Sequence, residues 1–183
     1  MATTLPAGLV AGTYTVDPSH TEVGFTARHA MVTKVRGRFS DVAGTVVVDE
    51  DASLTSVEAT IQVASVDTRS ADRDGHLKSA DFFDVEQFPT MTYRSTSVRA
   101  SGDGYVVDGE LTLHGVTQPV QLEVTAEGVA TDPFGNSRAG FSAEAEINRK
   151  DFGLSWNAAL ETGGVLVSEK IKITLDVSAI KQA

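Results

Sequence analysis

Four histidines are the residues of this 183-residue chain best suited to acid–base or metal chemistry. His20 and His29 lie on or beside the first strand-like segment, His76 in a helical stretch, and His114 at a strand end. No His-x-x-x-His or His-Glu-x-x-His spacing occurs, so a metal site would have to be assembled across strands. The chain has no cysteine, which removes Cys-ligated zinc, iron–sulfur clusters, thiol nucleophiles and disulfide scaffolds. No Gly-x-Ser-x-Gly elbow presents a serine nucleophile. An enzyme built on this chain would have to use His20, His76 or Asp81 on a small lipid-like substrate. In the plainer reading His20 and His114 satisfy turn backbone groups and His76 hydrogen-bonds near a helix cap. These patterns assign no catalytic residue, no metal ligand and no catalytic cofactor.

Two further sets of residues could bind rather than react. Arg69, Arg73 and Arg149 carry planar forks that match phosphate oxygens; otherwise they are solvated or ion-paired. Phe82, Phe83 and Phe88 place three of the chain's 8 phenylalanines in one short stretch. That stretch, Asp67 to Pro89, is the one place where apolar residues stop alternating. Ser70 can cap a helix there, Asp72 and Asp74 suit its first turn, and Leu77 and Ala80 share a face. The spacing predicts a short helical insertion over about 70–81, kept short by Gly75 and ended well before Pro89.

Elsewhere the period is two. Val23, Phe25 and Ala27 alternate in a first strand that Asp17-Pro18-Ser19 interrupts. Val35, Gly37 and Phe39 begin a second, bent between Asp41 and Gly44. Val57, Ala59, Ile61 and Val63 form a third, Met91 and Tyr93 a fourth, and Tyr105 to Leu113 a fifth. His114 to Pro119 reads as a turn into a sixth, through Leu122. A seventh carries Phe141 and Ala143, and the last carries Ile171 to Val177. Arg149 to Gly164 reads as irregular, with a helical turn around Trp156. Eight hairpin-ordered strands with one apolar face predict an all-β antiparallel barrel; a β-sandwich is the alternative. Three of five inward residues on the seventh strand are alanines, so the interior is either filled by bulky partners such as Phe25, Phe39, Met91 and Trp156, or hollow.

Net charge is −10 with pI near 4.7, and the basic residues look scattered along the chain. Such a field repels phosphate backbones and anionic membrane surfaces, which argues against nucleic-acid binding. Residues 1–12 read as a flexible leader and 13–183 as one domain. The N-terminus lacks a positive n-region and no run of about 18 apolar residues exists, which sets a cytoplasmic expectation. A trimmed mature form would instead be periplasmic or secreted.

Several stretches together resemble the YceI-like family of lipocalin-like, polyisoprenoid-binding bacterial proteins. They are Tyr14-Thr15-Val16-Asp17-Pro18-Ser19-His20-Thr21-Glu22-Val23-Gly24-Phe25, Val35-Arg36-Gly37-Arg38-Phe39, Ser65-Val66-Asp67-Thr68, Arg73-Asp74-Gly75-His76-Leu77-Lys78-Ser79-Ala80-Asp81-Phe82-Phe83-Asp84 with Phe88-Pro89, Gly109 to Thr117, and Asn148-Arg149-Lys150-Asp151-Phe152-Gly153-Leu154. The resemblance implies an extended eight-stranded antiparallel barrel around a long apolar cavity. It implies an isoprenoid or other long-chain lipid as ligand, frequent homodimers, and many periplasmic relatives; transient membrane contact would go with such a ligand. On that reading Phe25, Phe39, Ile61, Leu77, Phe82, Phe83, Met91, Tyr93, Leu113, Phe141, Ala143 and Trp156 would line the cavity. His20, His76, Arg69 and Arg149 would be candidates for a head group. A lipid carrier, an enzyme at the barrel mouth and a packed structural barrel are the three functions left to separate.

Overall fold

The structure is a computed structural model describing residues 9–30, 32–50, 55–101, 104–157 and 166–182. Its strand segments are β1 (Gly12–Val16), β2 (Glu22–His29), β3 (Thr33–Phe39), β4 (Val42–Val48), β5 (Thr55–Gln62), β6 (Val66–Asp67), β7 (Thr90–Ser101), β8 (Gly104–Leu113), β9 (Val116–Thr131), β10 (Ser137–Asn148) and β11 (Lys170–Lys181). Three pairs are single strands broken by a bend: β1 with β2, β3 with β4, and β5 with β6. The result is eight strands, each antiparallel to its neighbours in chain order. β11 closes the ring by pairing with β1 at Tyr14 to Val16 and with β2 at Glu22 to Thr26. The expected eight-stranded barrel is therefore the fold.

The first bend shows how sequence makes the break. Pro18 cannot donate to a ladder, and Asp17 caps a 3-10 turn over Pro18–His20 by accepting from the Ser19 amide at 3.0 Å. The Thr21 hydroxyl takes the place of the lost ladder, accepting from Ser178 N at 3.1 Å and donating to its carbonyl at 3.3 Å.

The helical insertion is α1, Ala71–Lys78, with Ser70 accepting from the Arg73 amide at its N-cap. It is anchored backwards: the Asp74 carboxylate accepts from the Thr68 amide at 2.8 Å, and Arg73 donates to the Thr68 hydroxyl and carbonyl. Leu77 packs against the main core while the helix's outer face stays polar.

Three local expectations change. The turn after β8 has only two residues, His114 and Gly115, both at positive φ (55° and 72°). Val116 to Pro119 then already belong to β9, where Pro119 stands opposite Glu110. The helical turn expected near Trp156 lies earlier, as a 3-10 turn over Arg149–Phe152, because Asn148 caps it and Gly153 at φ 76° ends it. Residues 1–8 of the expected leader lie outside the described residues. Leu9, by contrast, is buried with Tyr14, Val46, Val48, Ala139 and Ala179 in a second, smaller cluster, and Tyr14 donates its hydroxyl to the Val10 carbonyl.

Candidate ligand cavity

The inward faces enclose a cavity of about 280 Å³ whose wall is almost wholly carbon. It runs the length of the barrel. Leu9, Val48 and Tyr105 line one end; Leu77, Phe82, Phe83 and Leu154 line the end covered by α1. The interior is therefore not filled by its own side chains, which answers the question the alanines pose.

Eleven of the twelve nominated residues reach this wall: Phe25 and Phe39 from β2 and β3, Ile61 from β5, Met91 and Tyr93 from β7, Leu113 from β8, Phe141 and Ala143 from β10, Leu77 from α1, and Phe82 and Phe83 behind it. Trp156 does not. It stands one layer back, its ring 5.2 Å from Phe82 and 4.7 Å from His76. Phe88 is also held away, packed on His114 at 4.8 Å and over Gly115. Nearer the centre, Phe25, Phe39 and Phe83 form a stepped aromatic wall with centroids 5.6 and 5.8 Å apart. Phe25 lies flat across the strand because Gly37 opposite it has no side chain; a Cβ there would meet the ring at 2.3 Å.

Tyr93 uses a glycine in the same way. Its ring covers Gly109, and its hydroxyl donates to the Val120 carbonyl at 2.9 Å. Burial pushes the phenol well above its usual range, and the Asp108 charge adds to this, so it remains a neutral donor. Among the described residues every buried side-chain nitrogen and oxygen has a partner. The wall thus offers no unsatisfied polar group to something inside it.

Arg149 makes this point most sharply. It is 4% exposed and touches the cavity, the placement a head-group ligand requires. Yet its guanidinium is committed: Nε donates to Ser168 O at 2.8 Å, Nη1 to Leu154 O at 2.6 Å and Trp156 O at 2.9 Å, and Nη2 to Val167 O at 3.3 Å. Desolvation pulls its pKa down, opposed by Glu169. The fork that would suit a phosphate is spent holding its own loop.

The other candidates lie off the cavity wall. His20 is on the barrel flank, and both Asp17 Oδ2 (2.8 Å) and Ser19 Oγ (3.0 Å) meet its Nδ1. A relay needs the two partners on opposite ring nitrogens, so this cluster is not one. Asp17 also pairs with Arg138, which bridges to Asp132. His76 Nε2 meets Asp81 Oδ2 at 2.9 Å on the solvent side of Phe82. Arg69 is exposed just before α1, at φ 64°. Among the described residues no group of three or more His, Asp or Glu converges as metal ligands would. The lining residues not nominated, such as Val107, Leu122 and Leu175, followed from strand alternation; Leu9 did not, because it sits outside any alternating run.

Known proteins carry the same architecture. The YceI-like domain profile matches residues 14–179. Protein YceI of Salmonella newport (strain SL254) is 40% identical over 176 residues, covering 94% of this chain and 89% of its own. Among solved structures, BcnA of Burkholderia cenocepacia superposes with a TM-score of 0.77 at 24% identity, covering 89% of this chain and 98% of that one. A polyisoprenoid binding domain from Saccharophagus degradans superposes at 0.66 with 16% identity, over 92% and 98%. Identities this low speak to fold alone; the domain match and the Salmonella relative speak to kinship. This chain belongs to the YceI-like family.

Proposed function

We propose that the protein binds an isoprenoid or similar long-chain amphipathic lipid in the barrel cavity and holds it for sequestration, storage or transport. The observation that carries this reading is a continuous apolar wall, end to end, with its buried polar atoms already satisfied. Such a wall accepts a hydrocarbon tail and has nothing with which to anchor a polar group deep inside. The head group then belongs at an end of the barrel. His76 and Arg69 flank the α1 end, and Arg149 acts there by shaping the loop. That a structural neighbour is a polyisoprenoid binding domain supports the choice of tail.

At roughly 30 Å³ per water-sized group, a cavity of about 280 Å³ takes on the order of ten methylene-sized groups. At about 0.8 kcal/mol per CH₂ removed from water, the enclosed part of the tail gains about 8 kcal/mol before the entropy of association is subtracted.

Mass spectrometry of a solvent extract, beside native mass spectrometry of the intact chain, tests the proposal. A stoichiometric prenyl lipid, or uptake of one when added, is expected. A protein that carries none and takes up none refutes it.

A further inference from the structure

The basic residues look scattered along the chain, but the fold gathers some of them. Between Val23 and Ser40 the sequence holds Arg28, Lys34, Arg36 and Arg38 and no carboxylate. These residues form the β2–β3 hairpin. Its register places Arg28 opposite Lys34, Thr26 opposite Arg36 and Gly24 opposite Arg38. Phe25, Ala27 and Phe39 on the other face line the cavity. All four cations therefore stand on the outer face, and all are exposed. Arg38 reaches Asp67 at 3.7 Å, and neighbouring Lys172 is held by Glu144. Among the described residues no carboxylate lies within ion-pair distance of Arg28, Lys34 or Arg36. At the apex Val32 is 76% exposed.

In a chain of charge −10, an unpaired cationic trio with like charges directly opposite is an unfavourable arrangement. Its natural complement is an external anionic surface. Charged edge strands do protect against aggregation, and β3 is an edge from Thr33 to Gly37. That accounts for Lys34 and Arg36. It does not account for Arg28, which lies on β2 with neighbours on both sides, nor for an apolar residue at the tip. Phe134, on the β9–β10 tip, is more exposed still, but it adjoins Asp132, and Arg138 at the base of that tip is paired.

We propose that the outer face of the β2–β3 hairpin docks the protein on a membrane rich in anionic lipid headgroups, with Val32 entering the headgroup layer. This rests on the carrier reading, since the hairpin's inner face is cavity wall and docking would bring that wall to the lipid source. The net negative charge does not forbid it. Screening limits each charge to about 8 Å at physiological salt, so the local patch decides the sign.

The test is co-sedimentation with phosphatidylcholine vesicles, with and without phosphatidylglycerol, at low and high salt. Salt-sensitive binding confined to the phosphatidylglycerol vesicles is expected. Each cation removed should weaken it about fivefold, so Arg28→Gln/Lys34→Gln/Arg36→Gln should lose it almost entirely, and Val32→Ser should weaken it without changing its salt dependence. Because the triple variant alters an edge strand and could aggregate, Arg28→Gln alone, off that edge, is measured beside it and should show the fivefold loss. No binding, equal binding to both vesicles, or unchanged binding by Arg28→Gln overturns the proposal. A protein that holds a prenyl lipid yet ignores anionic vesicles overturns only the docking. One that docks but takes up no lipid overturns only the carrier reading.

Discussion

Ala143→Phe is the most informative single change to the cavity. Ala143 sits on β10, between Val124 and Leu175 in the register, with its side chain on the cavity wall. The substitution adds six carbons. In a cavity with room for on the order of ten methylene-sized groups, it displaces roughly six from any tail. At about 0.8 kcal/mol each, that is about 5 kcal/mol of lost burial, or more than about a thousandfold in affinity. Ala130, exposed on β9, supplies the control: Ala130→Phe should bind as wild type. Stability gives the opposite sign. If the cavity is as described, the new ring gains contacts, and the delipidated variant should unfold at equal or higher urea concentration. If the interior were packed, the same ring would cost about 1–3 kcal/mol by overpacking. Lipid uptake by native mass spectrometry and urea unfolding of delipidated protein read the two effects. Undiminished uptake refutes the placement of the ligand. A large fall in stability refutes the cavity itself.

Other residues give further tests. Arg149→Met orphans the carbonyls of Leu154, Trp156 and Ser168 and leaves that of Val167 with only the Asn157 Nδ2 donor, costing on the order of 3 kcal/mol or more in urea unfolding; Arg149→Lys should not restore it, because an ammonium cannot span that fork. Gly75→Ala, where a Cβ meets nothing within 4 Å, should stabilise by about 0.5–1 kcal/mol. Gly109→Ala brings a Cβ to 2.5 Å from the Tyr93 ring and 2.7 Å from the Arg94 carbonyl, and should cost about 1–3 kcal/mol. Arg138 holds the Asp17 carboxyl far below its usual range, and the Asn136 amide, with Arg138 assisting, does so for Asp132. Depressed folded values stabilise fully above the unfolded carboxylate pKa near ~3.9 and lose that stabilisation as pH falls through it towards the folded values. The melting temperature should therefore drop steeply below about pH 4. Arg138→Gln should melt lower at neutral pH and show a flatter acid limb; an unchanged limb would mean this network contributes no pH dependence.

Period-two alternation exposed most of the barrel, because one buried face per strand fixes which residues point inward. Two of the three bends were legible as well, at Pro18, which cannot stay in a ladder, and close to Asp41; the 3-10 turn over Val63–Ser65 that parts β5 from β6 was not, because Val63 continues the alternation of the strand before it. What alternation could not show was where irregular residues end up. Trp156 looked like cavity wall from its type, but it follows a 3-10 turn whose exit sets it behind Phe82. Arg149 looked available from its charge, but a buried guanidinium must spend its donors, and the nearest acceptors were its own loop's carbonyls. Leu9 carried no pattern because the apolar residues before the first strand, interrupted by Pro6 and Gly8, have no period of two. The hairpin cations escaped notice for a related reason: separated along the chain, they meet only once the register is known.

Taken together, these placements describe a division of labour that has a thermodynamic consequence. The strong polar interactions lie on the flank or at the ends: Asp17–Arg138–Asp132 ties the first strand's bend to β10 and the hairpin before it, Arg149 holds the loop that follows, and Thr68, Arg73 and Asp74 pin α1. The inside is left apolar and incompletely packed. At ~24 cal/mol per Å³, leaving 280 Å³ unfilled costs about 7 kcal/mol, comparable with the 5–15 kcal/mol by which whole domains are stable. Ligand and fold are then coupled. Lipid bound only by the folded barrel should raise the melting temperature in proportion to the logarithm of its concentration. Ala143→Phe should abolish that increment while keeping a baseline at least as high as the delipidated wild type. A wild type whose melting temperature ignores a lipid shown to bind would mean that the lipid sits somewhere other than this cavity, on a surface that unfolding does not disassemble.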